Sequence, residues 1–103
     1  MTNLDFIVSA IRDSFNPHKV YLFGSQATGD SRKDSDVDIA VLQDGNPLVG
    51  QKAKFYLKLL EMGYDWKIEP DIHLFDKDTF NSKYKAGDVF VNEIVSKGKV
   101  LYE

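Results

Sequence analysis

The chain predicts an α/β (α+β) fold, a mixed β-sheet with helices packed against it. Three observations lead there. Short apolar runs of strand length alternate with longer segments of helical period, and Gly, Pro, Asn and Asp separate them. At 103 residues, with 43% apolar and 28% charged, residues 1–103 suffice for one core and one domain. No repeat or low-complexity tract interrupts the pattern.

The elements follow in order. Leu4, Ile7, Val8, Ile11 and Phe15 recur at helical spacing, and Asn16-Pro17 stops that opening helix. Val20-Tyr21-Leu22-Phe23 is a strand entering a glycine-rich turn, Gly24 to Gly29, followed by a short helix. Val37, Ile39 and Val41 line one face of the next strand; Asp36, Asp38, Ala40 and Leu42 line the other. A strand apolar on both faces is buried on both. Asp44-Gly45-Asn46-Pro47 makes a loop. Val49, Ala53, Tyr56 and Leu60 mark a second long helix, stopped at Gly63, with Lys52, Lys54 and Lys58 on its solvated remainder. Another strand runs to Phe75, and Asp76 to Tyr84 forms a short helix. Phe90, Val91, Ile94 and Val95 form a last helix ending at Gly98, before a strand at Val100-Leu101-Tyr102.

The chemistry concentrates where the glycine turn meets the acidic strand. Ser25 sits where a helix N-cap would be, so the turn offers backbone N–H groups to an anion. Asp36 and Asp38 project from one strand face roughly 7 Å apart. At an effective dielectric near 20 they repel by roughly 2 kcal/mol, which a nearby cation offsets. Gly-Ser alone is usually a turn, and Asp-x-Asp alone is usually a solvated edge. Together, in this order, they read as a phosphate cradle beside a divalent-metal site.

Two-metal phosphoryl transfer uses a further carboxylate. Lys67-Ile68-Glu69-Pro70-Asp71-Ile72-His73-Leu74-Phe75 supplies it. Ile72 and Leu74 share one face; Glu69, Asp71, His73 and Phe75 share the other. With this strand about 4.8 Å from the Asp36–Asp38 strand, Asp71 completes a three-carboxylate cluster. Glu69 is the rival, but Pro70 marks the start of the strand proper. His73 reads first as an ordinary hydrogen-bonded side chain and second as a ligand of this site. His18 reads as a surface residue, and neither histidine has the thiol companions of a zinc site.

Gly24-Ser25, then Gly29, then Asp36-x-Asp38 on the next strand resembles the nucleotidyltransferase family, the superfold of DNA polymerase beta. The element order resembles its minimal members along nearly the whole chain. The resemblance implies that Asp36, Asp38 and Asp71 are catalytic and hold two Mg2+ ions, with Gly24, Ser25, Gly29 and Ser35 binding ATP. It further implies transfer of a nucleoside monophosphate, AMP, onto a hydroxyl. Larger relatives add a helical domain over the acceptor. For minimal members a HEPN-type ribonuclease toxin supplies that surface, so the expected activity is an antitoxin that adenylylates a toxin tyrosine. A catalytically weak antitoxin acting by complex formation, and a small-molecule nucleotidyltransferase, are the alternatives.

One departure bears on that choice. Many family members carry Arg immediately before the second glycine of the turn, where this chain has Thr28; Gln26 stands two places earlier. Arg grips phosphate bidentately, so its loss weakens the nucleotide grip. Arg32 and Lys33 either restore that charge or form a solvated loop. Tyr64 and Trp66 read as partial core, or as a partner surface.

Composition narrows the remaining classes. A net charge of −3 argues against general nucleic-acid binding. The absence of Cys removes thiol chemistry and suits a reducing cytoplasm. No apolar run of about 18 residues or signal pattern points to a membrane or export. A homo-oligomer is compatible with everything above.

Overall fold

In the computed structural model, residues 1–24 and 36–103 are described. The short helix expected after the turn lies outside them, as do Ser25, Gln26, Thr28, Gly29, Arg32, Lys33 and Ser35. The described elements run α1 (Asn3–Ser14), β1 (Lys19–Phe23), β2 (Val37–Gln43), α2 (Gln51–Glu61), β3 (Pro70–Asp76), α3 (Lys77–Lys85), α4 (Val89–Lys97) and β4 (Lys99–Tyr102). The strands form one mixed sheet in the order β3-β2-β1-β4. β1 is antiparallel to both β2 and β4, while β2 and β3 are parallel. The α/β reading of the sequence therefore holds.

The sheet carries a core on each face. Ile7, Ile11 and Phe15 of α1 join Phe55 and Leu59 of α2 against Val20, Leu22, Val37, Ile39, Val41 and Ile72. On the other face, Tyr21, Ala40 and Leu42 meet Phe80 of α3 with Val91 and Ile94 of α4. Alternate residues of β2 thus enter opposite cores, which is why that strand reads as apolar throughout. Pro70 is tolerated because β3 is an edge strand and Pro is its first residue.

The helix ends are specified locally. Thr2 and Asp5 form a reciprocal capping box that starts α1. Gly63, at φ 76, closes α2 by bonding from its N–H to the Leu60 carbonyl, while the Tyr64 N–H reaches the Leu59 carbonyl. The same pattern closes α3 through Gly87 and Asp88, and the Asp88 carboxylate then accepts from the Val91 N–H at 2.9 Å. One residue therefore ends α3 and caps α4.

The buried stripe of α2 differs from the one expected. Val49 and Leu60 are exposed, and Phe55 and Leu59 are fully buried instead, with Tyr56 and Met62 packed beside them. The reason is tertiary: Phe55 stacks on Phe15 of α1 at 5.7 Å, and that pairing sets the rotation of the helix. Tyr64 and Trp66 join the same core edge, as expected of partial core. Lys52 and Lys54 are exposed and half-buried Lys58 lies 3.7 Å from Asp13, in keeping with a solvated face.

Candidate active site

Parallel pairing of β2 with β3 puts Asp38 directly opposite Asp71 and Ala40 opposite His73. Because side chains alternate along each strand, Asp38, Asp71 and His73 emerge on one face. One ligand atom from each lies within 4.8 Å of the others. His73 Nε2 stands 3.4 Å from Asp71 Oδ2 and 3.6 Å from Asp38 Oδ1. The Asp38 side chain is 36% exposed and that of Asp71 is 59% exposed, so Asp71 is the more open to solvent.

Gly24 closes the site from the third strand direction. β1 pairs with β2 so that Phe23 faces Asp38, and Gly24 follows immediately with φ +75. A Cβ on Gly24 would stand 2.6 Å from Asp38 Oδ2. The backbone can approach the carboxylate only because residue 24 has no side chain. Aromatic rings flank the acids beside Gly24. Phe23 meets the His73 ring edge-on at 5.1 Å, and Phe90 of α4 lies 5.6 Å from Phe23 and 6.1 Å from His73. Phe90 is 47% exposed and its neighbour Val89 is 78% exposed, leaving an apolar rim beside the carboxylates.

Tyr56 supports the entry to β3, donating from its hydroxyl to the Pro70 carbonyl at 2.9 Å. Burial pushes its hydroxyl pKa up, and the charges of Asp71 and Glu69 add to that. This tyrosine therefore stays protonated and keeps its donor for the backbone next to Asp71.

Two carboxylates whose oxygens lie within 4.8 Å of each other repel, by at least about 3 kcal/mol at an effective dielectric of about 20. An oxygen-rich pocket of net negative charge, reached by a glycine backbone, fits a hard divalent cation. The donor set would thus suit a divalent metal ion held by Asp38 and Asp71.

The profile of the family described as Polymerase beta, Nucleotidyltransferase matches residues 6–103. The chain belongs to that family. A solved structure described as a toxin-antitoxin with AMP-PNP is 28% identical to this nucleotidyltransferase domain, with a TM-score of 0.65, covering 98% of this chain and 73% of that one. Another, a mutant of the toxin-antitoxin MntA-HpeT, is 22% identical with a TM-score of 0.66, covering 99% and 73%, and attests to the shared fold. No curated protein matches the sequence.

Within this nucleotidyltransferase fold, the structure unites two of the three acids singled out from sequence. Asp38 and Asp71 face each other across β2 and β3. Asp36 is exposed, precedes the first residue of β2, and is not in the Asp38–Asp71–His73 group. Glu69 also precedes its strand and stays outside the group. Ser25, Gly29 and Ser35 lie outside the described residues. His73 joins the acids, and the parity of β3, which puts it on the Asp71 face, was the signal for it. Nothing in the sequence announced Phe90, since α4 reaches Phe23 only through tertiary packing. His18 is on the surface, 2.8 Å from Asp44. Among the described residues, no helix is long and apolar enough to cross a membrane.

Proposed function

We propose that this nucleotidyltransferase moves AMP from ATP onto a hydroxyl of a partner protein, a tyrosine of a HEPN-type toxin, and so acts as an antitoxin. The observation that carries the chemistry is the facing pair Asp38–Asp71 with the Gly24 backbone against it. Asp38 and Asp71, joined by Asp36 from the segment before β2, would hold two Mg2+ ions. Those ions supply charge neutralisation at the triphosphate when bound. Gly24 admits the phosphates to the carboxylate, and Ser25, Gly29 and Ser35 belong to the proposed cradle around them. The acceptor oxygen attacks the α-phosphorus and forms the new P–O bond. Asp71, the more exposed acid, takes the hydroxyl proton. The bond from the α-phosphorus to the bridging oxygen breaks, and pyrophosphate leaves with that electron pair.

Two considerations support a protein acceptor. The 28% identical relative is described as a toxin-antitoxin with AMP-PNP. The exposed apolar rim of Val89 and Phe90 beside the acids is the kind of surface a partner covers. A docked partner would hold its hydroxyl at near-attack distance and keep water away.

The test is co-expression with the neighbouring gene's product, followed by size-exclusion chromatography and intact-mass analysis. The expected result is co-elution and an AMP adduct on the partner that requires ATP. Asp38→Asn and Asp71→Asn should each abolish the adduct while circular dichroism stays native. Co-elution with no adduct would favour the weaker-catalyst reading that Thr28 in the turn suggests. Separate elution with no mass change would remove the antitoxin function altogether.

A further inference from the structure

We propose that His73 is itself a metal ligand, making with Asp38 and Asp71 a two-carboxylate, one-imidazole site that takes Mn2+ in preference to Mg2+. This rests on the reading of the acids as a metal centre and specifies which ion that centre selects. Three observations carry it. First, His73 Nε2 is buried and makes no hydrogen bond among the described residues, although two carboxylate oxygens lie 3.4 and 3.6 Å away. A buried polar atom without a hydrogen bond is destabilising, so it calls for an explanation. Second, two aromatic rings pack against the imidazole, Phe23 at 5.1 Å and Phe90 at 6.1 Å, and these two lie 5.6 Å from each other. The imidazole is thereby oriented without using Nε2, and that nitrogen remains available. Third, the spacing is that of a coordination shell. Donors about 2.1–2.2 Å from one ion stand about 3.0 Å apart when adjacent. The two His73 separations, 3.4 and 3.6 Å, lie a few tenths of an ångström above that, all three donors lie within 4.8 Å of one another, and a bound ion would draw them in.

The donor set then decides the ion. Mg2+ is held by oxygen ligands and keeps its waters; a nitrogen donor favours first-row transition metals over Mg2+, and Mn2+ is the one among them that carboxylates also suit. A neutral imidazole with two carboxylates brings a charge of −2, which matches a divalent ion. The rival role for His73 is an imidazolium that neutralises both acids, and it makes the opposite prediction. Removing a cation from the site would tighten every divalent ion, while removing a ligand would weaken Mn2+ selectively.

The experiment uses the full chain with Mn2+ alone as probe. Free Mn2+ is titrated by electron paramagnetic resonance, Mg2+ is added as competitor, and the bound ion is examined by electron spin echo envelope modulation. The expected result is 14N modulation from a directly bound imidazole in the wild type. His73→Ala should remove that modulation, lower Mn2+ affinity about tenfold or more, and leave Mg2+ affinity less changed. His73→Asp should shift the preference toward Mg2+. Bound Mn2+ without 14N modulation, or tighter binding of both ions by His73→Ala, overturns the His73 assignment and leaves the carboxylate site intact. No Mn2+ or Mg2+ binding by the wild type overturns the metal centre itself. Should His73→Ala fail to fold, the wild-type spectrum decides alone.

Discussion

Gly24→Ala separates the stability of the fold from the geometry of the site. The added Cβ would stand 2.6 Å from Asp38 Oδ2, about 0.8 Å short of ordinary contact, and 3.5 Å from Asp38 Cγ. The residue also holds φ +75, where an L side chain is disfavoured by about 1–2 kcal/mol. These two effects act on different things. The backbone term falls on stability, and for a domain of this size it lowers Tm by about 4–16 °C. The steric term falls on the end of a side chain, which rotates away rather than unfolding the strand. Its consequence is a carboxylate displaced by close to an ångström, enough to reduce transfer about 100-fold and divalent-ion affinity about tenfold. Thermal melts and Mn2+ titration of the same preparation read both. In an Asp38→Ala background, Gly24→Ala should still lower Tm by a similar amount, because the backbone term does not depend on the carboxylate. A variant that melts lower but binds Mn2+ as tightly as wild type would refute the reasoning, because Asp38 would then not depend on the open backbone at Gly24.

Two further outcomes are expected. Phe55→Ala removes a fully buried ring stacked on Phe15, so it should destabilise by about 3–5 kcal/mol and lower Tm by more than about 12 °C; a shift under half of that would mean α1 and α2 do not share the core described. Asp76 accepts from the Thr79 N–H and hydroxyl and from the Gly45 N–H, and the Thr79 N–H bond foremost holds its carboxyl below the ordinary 3.8. A lowered folded-state pKa gives stability that is present above the unfolded value and lost as pH falls through the folded one. Melts between about pH 5 and about pH 2.5 should therefore fall less steeply for Asp76→Asn than for wild type, and parallel curves would contradict the assignment.

What could be read from the sequence, and what could not, follows from the range of the interactions. Strand parity is local, so the two faces of β2 and the shared face of Asp71 and His73 were legible without coordinates. The adjacency of β2 and β3 is written in neither strand alone; the parallel register, Asp38 opposite Asp71, is a tertiary fact. The start of the ladder was not legible: Asp36 has the parity of Asp38, yet pairing with β3 begins at Val37, whose N–H reaches the Glu69 carbonyl at 2.9 Å. Where a ladder starts depends on the partner strand, which period-two counting cannot see. The rotation of α2 is hidden from the sequence for the same reason, since packing against Phe15 and not the helix's own spacing selects Phe55 and Leu59 for burial. The Thr2–Asp5 capping box, by contrast, is entirely local and could have been read directly from the sequence.

The site's position also explains how its chemistry is kept separate from the fold's stability. Asp38 and Asp71 are spaced by backbone pairing between two strands, and the flanking residues Val37, Ile39 and Ile72 enter the core beneath them. Ligand spacing is thus set by a ladder that the acids themselves do not stabilise, and their mutual repulsion opposes it. Replacing one acid by its amide removes that repulsion and leaves the ladder in place, so the expected variant is inactive and at least as stable as wild type. Replacing fully buried Ile39 with Ala instead opens a cavity between the strands' core face and α1, which loosens the register that places the acids. Activity and stability should therefore part company at Asp38 and fall together at Ile39, one residue along the same strand.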